Sequence, residues 1–93
     1  MTLLARFEKQ PGDTQDFDCS YVAYLAALSD TGLSATVTAD TGITVAAFML
    51  TSGVVKSWIS GGVDGTTYKV YVTLTTVGGR IKVAEYTVRI KQY

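Results

Sequence analysis

Asp13, Asp16 and Asp18 lie close enough together to suggest a calcium site, because Ca2+ gathers carboxylate and carbonyl oxygens. Their spacing misses the hand-type loop. Polar and apolar residues alternate along Thr14-Gln15-Asp16-Phe17-Asp18-Cys19, which turns Asp16 and Asp18 towards water, so they read as solvated charge. Gly61-Gly62-Val63-Asp64-Gly65-Thr66-Thr67 has the glycines of a phosphate loop but not its lysine or following helix, and reads as a turn. The chain has no histidine, so neither a zinc ligand set nor a serine or cysteine triad can be assembled from its usual members. Cys19 is the only cysteine and falls on the apolar side of its strand, as a small core residue would. These residues predict no enzyme, no metal and no cofactor. Tyr21, Tyr24, Tyr68, Tyr71, Tyr86 and Tyr93 could stack on sugars or bases; in a β domain they are expected to seal the core edge with the hydroxyl in water.

The elements that would hold these residues are mostly strands. Thr67–Thr76 and Ile81–Ile90 are rich in β-branched and aromatic residues, with Gly78-Gly79 between them, and predict a long hairpin. Closing it at Thr76 and Arg80 around Val77-Gly78-Gly79 sets Val72 opposite Ala84, Val70 opposite Tyr86 and Tyr68 opposite Val88. It also puts Gly79 where such loops need a positive φ. Closing one residue later would set Val72 against Glu85 and waste the apolar face.

Leu3–Glu8 predicts a first strand, ended by Gln10-Pro11-Gly12-Asp13, and Thr14–Cys19 a second. Tyr21, Tyr24, Leu25 and Leu28 then fall at helical spacing. About two turns of helix are expected, capped by Asp18 or Ser20 and docked through those four side chains. Ser34–Ala39 is the third strand. Ile43–Leu50 and Val54–Ser60 make a second hairpin around Thr51-Ser52-Gly53, pairing Met49 with Val55, Ala47 with Ser57 and Val45 with Ile59. That register sends Phe48 and Trp58 to one surface near Leu50 and Val54. The surface is surplus to a two-layer core and is expected to meet a neighbouring subunit. Phe48, Leu50, Val54 and Trp58, together with Tyr71, are the expected interface.

The pattern predicts an all-β fold: one immunoglobulin-like antiparallel β-sandwich over residues 1–93, of about seven strands, with one short helix between strands two and three. A small closed barrel is the rival. Apolar residues make up 47% and charged residues 17%, which excludes disorder, while no apolar run approaches the roughly eighteen residues of a membrane span. The start lacks a secretory leader, so the chain is expected to stay where it is made. Net charge is zero but divided: residues 1–55 hold two bases and six acids, residues 56–93 six bases and two acids. Strand pairs meeting charge with charge would account for this, as would complementary self-association. The bases form no dense patch, so no nucleic-acid partner is expected.

Taken alone, these residues describe a small soluble β domain without a stated function. Three pieces resemble something more specific: Ala5–Asp13, then Asp16-Phe17-Asp18 leading into Tyr24-Leu25, and Ile59-Ser60-Gly61-Gly62 with Gly65–Val70 and Thr75–Arg80. Their order is similar to that of short tailed-bacteriophage structural proteins of the fibre-tail adaptor or virion-associated type; Tyr24 stands where the motif has tryptophan. The resemblance implies an immunoglobulin-like module located in the virion, a multicopy homo-oligomer that joins other phage proteins of the tail, fibre, portal or capsid. A capsid decoration protein is the alternative. A carbohydrate-binding attachment module, using Trp58 or Tyr71 as its platform, is a second.

Overall fold

The computed structural model describes the backbone of residues 2–92 and the side chains of residues 6–92. Met1 and Tyr93, which entered the readings of the leader and the tyrosines, lie outside the described residues. In chain order the elements are β1 (Thr2–Lys9), β2 (Gln15–Ser20), α1 (Val22–Leu28), β3 (Gly32–Ala39), β4 (Ile43–Thr51), β5 (Val54–Gly61), β6 (Thr67–Thr76) and β7 (Ile81–Ile90). They form two sheets, β1-β7-β6-β3 and β2-β5-β4. The fold is thus an all-β sandwich whose short helix follows the second strand, as the sequence predicts. The sheets remain separate, which removes the closed barrel. Among the described residues no helix is long and apolar enough to cross a membrane.

The β6–β7 hairpin has the register that parity demands. Val72 opposes Ala84, Val70 opposes Tyr86 and Tyr68 opposes Val88. Thr76 N–H donates to Arg80 O, and Gly79 takes φ +87°, a conformation that costs a side-chain-bearing residue about 1–2 kcal/mol. Val70, Val72, Leu74, Val88 and Ile90 are fully buried; each such side chain contributes about 1.5–3 kcal/mol on leaving water.

Two expectations about pairing are corrected. The sheets are not wholly antiparallel, because β1 runs parallel to β7. The Gln10–Asp13 turn carries the chain from one sheet to the other rather than closing a hairpin, with Lys9 Nζ donating to Gln10 O at 2.8 Å and to Asp13 O at 2.9 Å. Phe7 locks β1 in place: its ring stacks on Phe17 at 4.5 Å and meets the edge of Tyr86 at 5.4 Å.

The tip of the β4–β5 hairpin is the second correction. Its loop is two residues, not three, and closes on Thr51 and Val54. Ser52 and Gly53 both have positive φ, 48° and 81°, the signature of a type I′ turn, whose twist matches that of the flanking strands. Every pair near the tip therefore moves by one residue: Leu50 opposes Val55, Phe48 opposes Ser57 and Ala47 opposes Trp58. A bulge at Ala46 restores the expected Val45–Ile59 pair.

Helix α1 closes one end of the sandwich. Tyr21 and Leu25 are buried and Tyr24 packs against the core, but Leu28 is exposed, so three of the four expected side chains dock. Tyr21 itself occupies the N-cap position without a side-chain cap bond, while Ser20 Oγ accepts a long bond from Val22 N at 3.4 Å. Ser29, in the left-handed region, ends the helix. The buried tyrosine hydroxyls are not in water as expected. Tyr21 donates to Val72 O, Tyr68 accepts from Val63 N, and Tyr86 bonds Ser57 Oγ at 2.5 Å across the two sheets. A buried hydroxyl without a partner would cost several kcal/mol of lost hydration, which explains why each finds one.

Candidate functional site

The distribution of charge sorts the flanks of the sandwich. Asp16 and Asp18 point outward from β2, and Lys56 on the neighbouring β5 approaches them at 3.3 Å and 3.8 Å. Asp30, after the helix, accepts from Thr31 N, Gly78 N and Arg80 Nη1, tying α1 to the β6–β7 tip. The Thr76 hydroxyl, the Thr31 amide, Arg80 and Gly78 together hold its carboxyl down at about 2, against a smaller opposing effect of burial. Two bases of the second half, Lys56 and Arg80, thus meet acids of the first within one chain.

The flank made by β3 and β4 is different in kind. From Thr31 to Val55 the only charged residue is Asp40. That carboxylate is turned onto β6, accepting from Lys69 N at 3.0 Å and from the Tyr71 hydroxyl at 3.2 Å. β3 and β4 are each the outer strand of their sheet, so this neutral stretch forms one whole side of the sandwich. It carries exposed Leu33 (64%), Phe48 (43%) and Met49 (53%). A groove of about 470 Å³ adjoins it at the helical end, between Val22, Leu25, Asp30, Leu33 and Leu50.

The five expected interface residues do not form one patch. Phe48 and Leu50 project from β4 on the core side of its sheet; Leu50 packs over Gly32, where an added Cβ would sit 3.3 Å from its Cδ2. Val54 and Trp58 lie on the outer face of the same sheet, with Lys56 Nζ 6.0 Å from the centre of the indole. Tyr71 is on the outer face of the other sheet. Burial, then the negative charges of Asp40 and Glu85, push its hydroxyl above the usual range. Trp58 and Tyr71 therefore share no platform on which a sugar could stack. Leu33 and Met49 were not anticipated; the visible signal was the run from Thr31 to Val55 with its single charge.

Asp13, Asp16 and Asp18 do not converge on a common point: Asp13 O is held by Lys9 Nζ, and the other two carboxylates face Lys56. Asp64 in the glycine-rich turn accepts from Gln92 N, and Gly65 N donates to Ile90 O, which makes that segment a structural closure. Cys19 is buried, and burial raises its thiol pKa.

The described residues thus form a small β-sandwich with one neutral flank left open. The chain belongs to the family described as Podophage GP4 fiber-tail adaptor protein gp77, whose model matches residues 9–89. No curated protein matches the chain. The match bears out the resemblance to tailed-phage fibre-tail adaptors and makes this a bacteriophage structural protein.

Proposed function

We propose that the chain is a non-enzymatic virion adaptor, present in several copies, which joins tail or fibre components to the tail assembly through its β3–β4 flank. The observation that carries this reading is the neutral side from Thr31 to Val55, whose one carboxylate is held against β6. Contact with another protein costs little desolvation there, because the one carboxylate already has partners on β6. Charged strands β1 and β2 stay towards solvent on the opposite side. Repetition of the module would add weak contacts into firm attachment.

Residues 1–93 act as one immunoglobulin-like unit in this reading. In support, β3-β6-β7 over β2-β5-β4 follows the CFG and BED layers of an immunoglobulin sandwich, with the first strand moved beside the last. Averaged images of the virion with this chain located and counted test the proposal. A ring or a fixed number of copies at the tail, with β3–β4 against a neighbour, is expected. Copy numbers tied to capsid lattice positions would replace the adaptor reading with a decoration protein.

A further inference from the structure

The edges of the two sheets are guarded unequally. Outer strands invite pairing with another chain, and proteins block this with charges, proline or bulges. β1 carries exposed Arg6 and Glu8, and β2 carries exposed Asp16 and Asp18. β3 has no charge, but Ser34, Thr36 and Thr38 give its outer face a polar surface that water satisfies. β4 has neither a charge nor a proline, and its Phe48 and Met49 are exposed on its two faces. Its one guard is the bulge at Ala46, which leaves Ala47–Thr51 regular.

The backbone of that segment is set for a partner. Because the two-residue loop closes on Thr51 and Val54, the alternation of an antiparallel ladder turns the N–H and C=O of Leu50 and Phe48 away from β5. Among the described residues no loop or turn bond reaches β4. We propose that β4 pairs antiparallel with β4 of a second copy, in a register centred on Met49, joining two three-stranded sheets into one.

Phe48 then exchanges both backbone bonds with Leu50 of the second copy, and Leu50 with its Phe48, while the two Met49 residues face each other as a non-hydrogen-bonded pair. On the core side Phe48 covers Leu50; on the outer side Ala47 meets Thr51. A two-fold contact sets every residue against the same patch of its partner, so any charge near the axis would meet its like. This favours self-pairing at β4 and disfavours it at β2, where Asp16 and Asp18 would approach their counterparts. The inference deepens the multicopy reading above and rests on it for its setting in the virion.

Sedimentation velocity of the full chain over a concentration series tests it, together with three variants whose folding is checked by circular dichroism. The wild type is expected to dimerise reversibly. Met49→Lys and Met49→Glu each raise the dimer dissociation constant by about tenfold or more, and their equimolar mixture recovers the dimer. Met49→Cys forms a disulfide dimer under mild oxidation, because facing residues of such a pair lie at bridging distance, whereas buried Cys19 does not react. A wild type that stays monomeric overturns the proposal, as does a dimer indifferent to both charges. If the monomer binds another virion protein and Met49→Lys abolishes that binding, the edge serves a different partner: self-pairing fails and the adaptor reading stands. A dimer of the expected register in a chain missing from virions leaves the pairing intact and removes the adaptor.

Discussion

Tyr86 and Ser57 form the only hydroxyl pair that bridges the two sheets among the described residues, and breaking it should cost more from one side than from the other. Tyr86 is 1% exposed and Ser57 0%. The Ser57 hydroxyl has a second partner, Phe17 O at 3.5 Å, so Tyr86→Phe leaves it partly satisfied and should cost about 1 kcal/mol. Ser57→Ala strands the Tyr86 hydroxyl in an apolar cluster with Phe7 and Phe17, and should cost about 2–3 kcal/mol. Removing both groups leaves nothing unpaired. The double variant should therefore be no less stable than Ser57→Ala alone, with a coupling of about 1–2 kcal/mol. The assay is urea and thermal unfolding of all four proteins; in a chain of this size each kcal/mol moves Tm by about 4–8 °C. Effects that add to within about 0.5 kcal/mol would refute the bridge.

Acid and alkali probe two other contacts. Asp30 ionises at about 2 in the folded chain and at 3.8 ordinarily, so its contribution is present above the ordinary value and lost as pH falls through about 2. Thermal unfolding of Asp30→Asn should accordingly show a lower Tm at neutral pH and a flatter decline between pH 4 and 2 than the wild type. Burial pushes Tyr86 up to about 12 despite its bond to Ser57, and pushes Tyr21 higher still. The stability tied to these hydroxyls is full below the ordinary tyrosine range and is lost as pH rises through the folded values. Ultraviolet titration should find some tyrosines refusing to ionise until the chain unfolds; a single transition near pH 10 with the fold intact would contradict their burial.

The legible parts of this fold are those that local chemistry fixes. At the β6–β7 tip, parity and Gly79 select the same register, and the structure has it. At the β4–β5 tip, Thr51-Ser52-Gly53 suits a three-residue loop ending in glycine as well as a two-residue loop, because serine rarely takes φ +48° and does not announce it. A one-residue slip flips every side chain, which is why Phe48 and Trp58 were expected on one surface and lie on two. Parallel pairing of β1 with β7 joins strands from opposite ends of the chain, and no local pattern specifies it. The neutral run from Thr31 to Val55 was written in the sequence throughout; its meaning needed the topology that places β3 and β4 at adjacent edges.

If the open β3–β4 flank attaches this module to the virion, as proposed, a charge placed there should block attachment. Incorporation into particles tests it most directly, comparing chains that bear a single added lysine on opposite flanks: Met49→Lys on β4 and Gln15→Lys on exposed β2. Both substitutions leave buried residues untouched, and both chains should fold as the wild type does. Purified particles should contain the Gln15→Lys chain at normal copy number and lack the Met49→Lys chain. Equal incorporation of the two, or loss of the β2 variant alone, would rule out attachment through the β3–β4 flank.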